Sequence, residues 1–188
     1  MENKILVLDI ETSGFLPYGR IVEIGIIELD VITGEKKVLF DELCNHPSLT
    51  AEVLEKDWIC QNGYIKKEDI LKALNLEEFK TDIQYILDSY PLGATAFNNQ
   101  FDFGFMEADG FKFPKKLGCP MKLSTDLCKF PKTGKAAFYG GYKWPNVEEA
   151  YFHFFGKTDY VELHRGADDA FHEADIVFEL IKMGILKY

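Results

Sequence analysis

The pattern of apolar and polar residues in the first quarter of the chain predicts three β-strands. Residues 4–10 are almost entirely apolar and β-prone, which is typical of a buried strand. A second strand is predicted over residues 20–31, after a break rich in glycine and proline, and a third over residues 36–43, after the turn at Thr33 and Gly34. We expect the three to form an antiparallel meander.

The rest of the chain is predicted to alternate between helices and short strands. Apolar spacings of three and four residues, with caps such as Asn146 and Gly156, indicate the helices. Helices are predicted at 69–76, 76–87, 101–108, 146–155 and 167–183, and strands at 93–97 and 121–127. A meander followed by this alternation predicts an α/β protein with a mixed five-stranded sheet and helices on both faces. Residues 1–188 are expected to form a single domain.

Composition and charge favour a folded enzyme. Hydrophobic residues make up 47% of the 188 residues, including 16 phenylalanines, which is not typical of a disordered chain. A net charge of -10 argues against a protein that coats nucleic acid by bulk electrostatics. Between Phe111 and Lys143, however, eight lysines accompany one acid, Asp126. This stretch is either a local basic surface along which a nucleic acid binds or a solvated loop.

The sequence also limits location and redox chemistry. No apolar run reaches the roughly 20 residues that cross a bilayer, and the first residues run into strand-like sequence rather than a signal peptide. We therefore expect a cytoplasmic protein without membrane contact. The cysteines are widely spaced and include no CxxC pair, which favours reduced thiols over a zinc site or disulfides. They are Cys44, Cys60, Cys119 and Cys128.

Two acids, Asp9 and Glu11, stand at the end of the first predicted strand. Side chains at i and i+2 point to the same face of a strand, so the two carboxylates are expected to lie side by side. Two like charges on an otherwise apolar strand are costly unless a cation or a proton neutralises them. The alternative is that both are simply solvated, and the pair alone indicates a metal site only weakly.

Three motifs in order strengthen the metal interpretation. Asp9 to Gly14, with the sequence DIETSG, resembles the first exonuclease motif of the DEDD superfamily, which includes polymerase proofreading domains, ribonuclease T and oligoribonuclease. Phe97 to Asp102, FNNQFD, is similar to the second motif, with phenylalanine where histidine is common. His164 to Ala170, HRGADDA, resembles the third motif of the histidine subclass, with Gly166 in place of the common alanine. The chain is thereby identified as a member of the DEDDh family.

The resemblance implies a ribonuclease H-like fold and a 3′-to-5′ exonuclease that releases nucleoside 5′-monophosphates by two-metal catalysis. It implies two Mg²⁺ ions, with Mn²⁺ as a substitute, and His164 as general base. The metal ligands and catalytic acids it implies are Asp9, Glu11, Asp102 and Asp169. The expected substrates are 3′ ends of single-stranded DNA or RNA, with DNA favoured. A polymerase partner or a homodimer stays open.

The resemblance also implies substrate contacts at Thr12, at the turn formed by Phe15 and Leu16, and at Asn98. For Phe15 and Leu16, covering the core is an equal alternative. Trp58 and Tyr64 flank a stretch that could stack a base, although core packing is the favoured interpretation for Trp58.

Three other functions stay open at this point. The first is an exoribonuclease that trims RNA. The second is a binding module that keeps the fold without catalysis, although all four acids and the histidine are present. The third is a phosphodiesterase for a small molecule, against which the segregated lysines argue mildly.

Overall fold

A computed structural model describes residues 2–156 and 159–188. Its sheet has four strands in the order β3-β2-β1-β4. The strands are Lys4–Thr12 (β1), Ile21–Asp30 (β2), Lys36–Leu43 (β3) and Ala94–Thr95 (β4). β2 pairs antiparallel with both β1 and β3, which confirms the predicted meander, and β4 pairs parallel with β1.

Eight α-helices lie within the described residues. They are α1 (Ala51–Leu54), α2 (Trp58–Gln61), α3 (Lys67–Lys72), α4 (Leu76–Asp88), α5 (Asn99–Ala108), α6 (Pro120–Cys128), α7 (Val147–Phe155) and α8 (Gly166–Lys182), with a 3-10 helix at Gly134–Tyr139. The four predicted helices at 76–87, 101–108, 146–155 and 167–183 agree with α4, α5, α7 and α8. For the helix predicted at 69–76, the predicted end is wrong: α3 ends at Lys72, and Asn75 caps the start of α4 through a capping box with Glu78.

Alternating side chains of β1 build a core on each side of the sheet. Ile5 and Val7 pack with buried residues of α7 and α8, whereas Leu6 and Leu8 pack with buried residues of α4 and α5. The prediction of helices on both faces is therefore confirmed. A third, smaller cluster joins the region of α1, α2 and α3 to Val22 of β2.

The predicted fifth strand at residues 121–127 is wrong, because this segment forms α6. Pro120 occupies the first turn of α6, where its fixed φ and missing N–H are compatible with a helix but not with a strand ladder. The place beside β4 is taken by residues 115–118. There the N–H of Ala94 donates to the Lys115 carbonyl (3.0 Å) and the N–H of Leu117 donates to the Ala94 carbonyl (2.8 Å). One bridge forms, so the described sheet has four strands rather than five.

Close backbone contact between β2 and α8 brings the last helix to the sheet. A Cβ atom on Gly25 would lie 2.1 Å from the carbonyl carbon of Gly166, so neither position has room for a side chain. Beside this contact, the Arg165 guanidinium binds the buried Glu23 carboxylate through both Nε (3.0 Å) and Nη2 (2.7 Å). Glycine in place of the family's alanine at 166 thus follows from the packing.

Two smaller predictions also have outcomes. Within residues 2–156 and 159–188, no helix combines the length and the apolar character that a membrane span requires. The four cysteines are free thiols, as expected.

Candidate active site

Three carboxylates from β1 and α8 converge at one end of the sheet. Asp9, Glu11 and Asp169 each offer an oxygen atom, and these oxygens all lie within 4.8 Å of one another. The β1 pleat turns Asp9 and Glu11 to the face that α8 covers, and the contact at Gly25 sets α8 close enough for Asp169 to reach them. The two strand acids therefore lie side by side, and a third joins them from a distant part of the chain.

Asp102 joins this group from the first turn of α5. Its Oδ1 accepts a hydrogen bond from the backbone N–H of Ile10 (3.3 Å), the residue between Asp9 and Glu11. The Asp102 side chain is only 4% exposed, so this contact joins α5 to β1 inside the protein. The structure thus brings all four acids of the predicted motifs to one place.

Asp169 also holds the segment that carries the predicted histidine. Its carboxylate accepts hydrogen bonds from the backbone N–H groups of Leu163 (3.1 Å) and Arg165 (2.8 Å). These two peptides flank His164, whose φ of 53° lies in the left-handed region. The spacing of five residues between His164 and Asp169 therefore has a structural reason, since the carboxylate reaches back one turn to fix both neighbours of the histidine.

The His164 ring lies between the carboxylates and two aromatic side chains. Its Nδ1 is 3.9 Å from Glu11 Oε1. Its ring centroid is 4.9 Å from that of Trp58 and 4.3 Å from that of Tyr64, both edge-to-face. Burial lowers the pKa of His164 below its ordinary value, although the Asp169 charge opposes the shift. A neutral imidazole, able to accept a proton, is therefore favoured at neutral pH.

The carboxylates repel one another and lack cationic partners. Burial raises the pKa of Asp102 to about 7 and that of Glu11 to about 9, where the Asp169 charge adds to the effect. The pKa of Asp9 is also raised well above its ordinary value, by burial first and then by the Glu173 charge. In the described parts of the chain, no lysine or arginine forms an ion pair with the four motif acids. The cluster can be fully ionised only at a cost, unless a cation joins it.

This set of side chains fits a hard divalent cation. The ligand atoms are carboxylate oxygens alone, which are the ligands of Mg²⁺ and Mn²⁺ rather than of softer metals. Asp9, Glu11 and Asp169 would hold such an ion directly, and Asp102 is close enough to the strand to share the site.

Sequence reasoning missed one acid of this cluster, Glu173. It lies one helical turn after Asp169, is buried, and accepts a hydrogen bond from the backbone N–H of Phe97 (3.3 Å). Burial, followed by the charge of Asp102, raises its pKa well above the ordinary value. The available signal was an acid at i+4 from Asp169 on the apolar face of α8. Phe97, where the family commonly has histidine, is itself buried.

A pocket of about 450 Å³ opens beside the carboxylates. Its walls are formed by Glu11, Thr12, Gly14, Phe15, Asp57, Trp58 and Phe101. Phe15 is 79% exposed and touches Phe101 only by its edge, at 6.3 Å between centroids. Covering the core is therefore excluded for Phe15, whereas Leu16 lies over Gly104 of α5 and does not line the pocket. The Thr12 hydroxyl donates to the Gly14 carbonyl (2.9 Å) and shapes this turn.

Trp58 lies on the pocket wall, whereas Asn98 does not. Core packing was favoured for Trp58, and this is wrong: the side chain is 54% exposed, because the short helix α2, capped by Asp57, places it on the pocket wall. Asn98 is exposed at the start of α5, where its side chain makes no capping hydrogen bond, and it does not line the pocket.

Comparisons with known proteins agree on the fold. No protein-family model matches the sequence, and no curated protein is significantly similar to it. Several solved structures are similar. One described as a full-length 3′-exonuclease superposes with a TM-score of 0.67 at 13% identity over 97% of this chain and 62% of its own length. The nuclease domain of 3′hExo, a DEDDh family member bound to rAMP, gives 0.68 at 13% identity over 97% and 94%. E. coli exonuclease I in complex with a dT13 oligonucleotide gives 0.64 at 16% identity over 95% and 41%.

This chain therefore has the ribonuclease H-like α/β fold of DEDDh-type 3′-exonucleases. It spans less than two thirds of the full-length 3′-exonuclease and of exonuclease I. It spans nearly the whole of the 3′hExo nuclease domain.

Proposed function

We propose that this protein is a metal-dependent 3′-to-5′ exonuclease of the DEDDh type, which hydrolyses phosphodiester bonds and releases nucleoside 5′-monophosphates. The observation that carries the proposal is the carboxylate group of Asp9, Glu11 and Asp169, with oxygens within 4.8 Å of one another and the His164 imidazole beside it. If these acids had only a structural role, a lysine or arginine would be expected to pair with them; within the described residues none does, and Glu11 lines a pocket.

Each residue has a role in this proposal. Two divalent cations, Mg²⁺ or in its place Mn²⁺, would stabilise the negative charge that develops as water attacks the phosphorus and the 3′ oxygen departs. Asp9, Glu11, Asp102 and Asp169 would hold these ions. His164 accepts a proton from the attacking water at the ring nitrogen that faces the carboxylates, Nδ1 in this structure.

The pocket beside the acids is proposed to bind the 3′-terminal nucleoside. Phe15 and Trp58 offer exposed aromatic rings on its wall, suited to contact a base. Trp58 and Tyr64 also pack against His164, so they would hold the imidazole in position while the substrate occupies the pocket. Thr12 would contact the nucleotide through its backbone and side chain, as the resemblance implies.

Single-stranded DNA is the proposed substrate, and RNA is the second candidate. The similar exonuclease I structure holds a dT13 oligonucleotide, which supports DNA. The similar 3′hExo domain holds rAMP and matches this chain over more of its own length, which supports RNA. Discrimination depends on contacts near the 2′ position of the sugar.

The test is digestion of matched 5′-labelled DNA and RNA oligonucleotides with Mg²⁺. A ladder shortening from the 3′ end supports the proposal, and the faster ladder identifies the sugar. Asp169→Asn should remove the activity. Asp168→Asn is the matched control, because this neighbouring acid is partly exposed and lies near His172 rather than the cluster. Binding without cleavage would favour a non-catalytic module. Turnover of nitrophenyl-thymidine phosphodiester alone would favour a small-molecule phosphodiesterase.

A further inference from the structure

The segment that follows α6 combines aromatic rings with positive charge. Residues 129–144, called the 129–144 loop here, contain four lysines, five aromatic residues and no acid. Every residue from 133 to 142 is exposed. Phe138 and Tyr139, at its tip, are 92% and 87% exposed. Two adjacent large rings in water are costly, since each could bury well over 100 Å² in a contact.

Internal contacts give the loop a defined shape. At its base, the N–H of Lys143 donates to the Phe130 carbonyl (2.9 Å), and Pro131 pairs with Tyr142. Nearer the tip, the Lys132 ammonium donates to the Gly140 carbonyl (2.9 Å). The 3-10 helix Gly134–Tyr139 then presents the two rings. The rings are therefore held outward by structure, which reduces the entropy cost of binding through them.

The structure separates the lysines of this region into two groups. Lys116 pairs with Glu107, and Lys143 pairs with Glu149 at 2.6 Å. Lys129, Lys132 and Lys135 form no ion pair within residues 2–156 and 159–188, so their charges are available to an anionic ligand. All three precede Phe138 and Tyr139 in the sequence, within ten residues of the tip rings.

A short path of contacts joins the loop to the pocket. Phe101 forms part of the pocket wall, and the preceding residue, Gln100, accepts a hydrogen bond from the Lys122 ammonium (3.4 Å). The same ammonium lies 5.4 Å from the centre of the Trp144 ring, at the end of the loop. The base of the loop therefore lies beside the wall of the pocket that would hold the terminal nucleoside.

We infer that the 129–144 loop is a second binding surface, on which single-stranded nucleic acid lies after it leaves the catalytic pocket. Bases 5′ of the terminal nucleotide stack on Phe138 and Tyr139, and their phosphates pair with Lys129, Lys132 and Lys135. This inference rests on the proposed function for the direction of the strand. Nucleic acid is the occupant that fits, because the exposed rings share the loop with four lysines and no acid, whereas a protein-docking patch is depleted of lysine at its centre.

The first test is binding without catalysis. In EDTA, fluorescence anisotropy of a labelled 12-nucleotide single strand is compared for wild type, Phe138→Ala/Tyr139→Ala, and the control Tyr85→Ala, an exposed ring on α4. Stacking of about 1–3 kcal/mol per base predicts at least a tenfold rise in Kd for the double variant, with no change for Tyr85→Ala. Equal Kd values for wild type and the double variant, or no binding by wild type, would overturn the inference.

The second test is the salt dependence of binding. Lys129→Gln/Lys132→Gln/Lys135→Gln should reduce the slope of log K against log[salt] by about two, at roughly 0.7 for each lost contact to a single-stranded phosphate. Lys143→Gln is the control, because its ammonium is already paired with Glu149. Slopes that change equally in both variants would contradict the assignment.

Activity then separates this inference from the proposed function. The double alanine variant should raise KM for the 12-mer about tenfold, with unchanged kcat and an unchanged rate on a dinucleotide. A wild-type ladder with no such change in KM would overturn the binding surface and leave the exonuclease proposal standing. Binding that depends on the two rings, without any cleavage, would overturn the exonuclease proposal and leave the binding surface standing. Self-association of wild type that the double variant loses would assign the rings to a second copy of the chain and overturn the inference.

Discussion

The carboxylate cluster and the 129–144 loop differ in charge and burial. The cluster is negative, and Asp102 and Asp169 are buried and held by backbone N–H groups of β1 and of the segment before α8. The loop is positive, and residues 133–142 are all exposed. The first region is arranged for chemistry that requires fixed geometry, and the second for contacts that tolerate many sequences.

This difference explains why net charge was a poor guide to function. The total of -10 averages an acidic site, which needs cations, with a lysine-rich region beside it. An acidic protein can still bind nucleic acid if the charges are segregated, because screening limits the influence of remote acids to about a Debye length of 10 Å. Binding and its salt dependence test the loop, and the predictions below test the cluster.

The largest effect is expected from removing one acid of the cluster. Asp9→Ala, Asp102→Ala or Asp169→Ala should each lower kcat with Mg²⁺ by roughly a thousandfold or more, because several kcal/mol of charge stabilisation is lost. Metal-free thermal stability should hold or rise for Asp9→Ala, since repulsion is relieved. Kinetics and thermal unfolding in EDTA are the measurements. Near-wild-type kcat in any variant would show that its acid is not catalytic.

Asp169→Ala should differ from Asp9→Ala in one further respect. Only the first removes the acceptor for the N–H groups of Leu163 and Arg165. Hydrogen exchange at these two amides should therefore accelerate in Asp169→Ala and stay unchanged in Asp9→Ala. Equal protection in both variants would mean that the carboxylate does not hold the histidine segment.

The next effect concerns His164. If it is the general base, His164→Ala should lower kcat about a hundredfold or more while single-strand binding survives. Because burial lowers the pKa of His164, the wild-type kcat should rise with pH through a group that titrates below about 6.5, and the variant should lose this limb. If the variant keeps this limb, His164 is not the general base, and its role would be to orient the water or the phosphate.

A smaller effect is expected from the rings around the histidine. Trp58→Leu and Tyr64→Leu should lower kcat about tenfold, because the imidazole is less well positioned. They should also move the acid limb of kcat to higher pH, since a more hydrated His164 has a higher pKa. Tyr85→Leu on α4 is the control. An unshifted limb would show that the rings contact only the substrate.

A separate effect, on stability rather than on activity, is the pH dependence of unfolding without metal. The folded values near 9 for Glu11 and 7 for Asp102 exceed the ordinary values of 4.5 and 3.8. The folded protein therefore holds protons that the unfolded chain releases. The free energy of unfolding should be highest below those ordinary values and fall as pH rises, by at most about 1.4 kcal/mol per pH unit for each group.

Urea denaturation in EDTA between about pH 5 and pH 9 measures this slope. Glu11→Gln and Asp102→Asn should each flatten it, and Asp126→Asn, an exposed acid on α6, should not. A flat wild-type profile would show that the folded and unfolded chains bind the same number of protons, so that the pKa values of these carboxyl groups are not raised.

The elements that sequence predicts best are those specified by neighbouring residues. The meander follows from alternation and turns, and α7 begins at the capping box of Asn146 and Glu149. The convergence of Asp9, Glu11, Asp102 and Asp169 was also predicted, but from the order of three motifs rather than from any single spacing. Their chemical roles remain proposals.

Sequence alone determined the fold class, the meander and the four motif acids of the cluster, because strand alternation, caps and each motif are specified by neighbouring residues. Tertiary structure decided the rest. The segment at 121–127 became α6 while residues 115–118 took the place beside β4, and Trp58 came to lie on the pocket wall against His164. The burial of Glu173 beside Phe97 and the support of His164 by Asp169 also required the fold. Each of these depends on which distant segments pack together, and a local pattern does not contain that information.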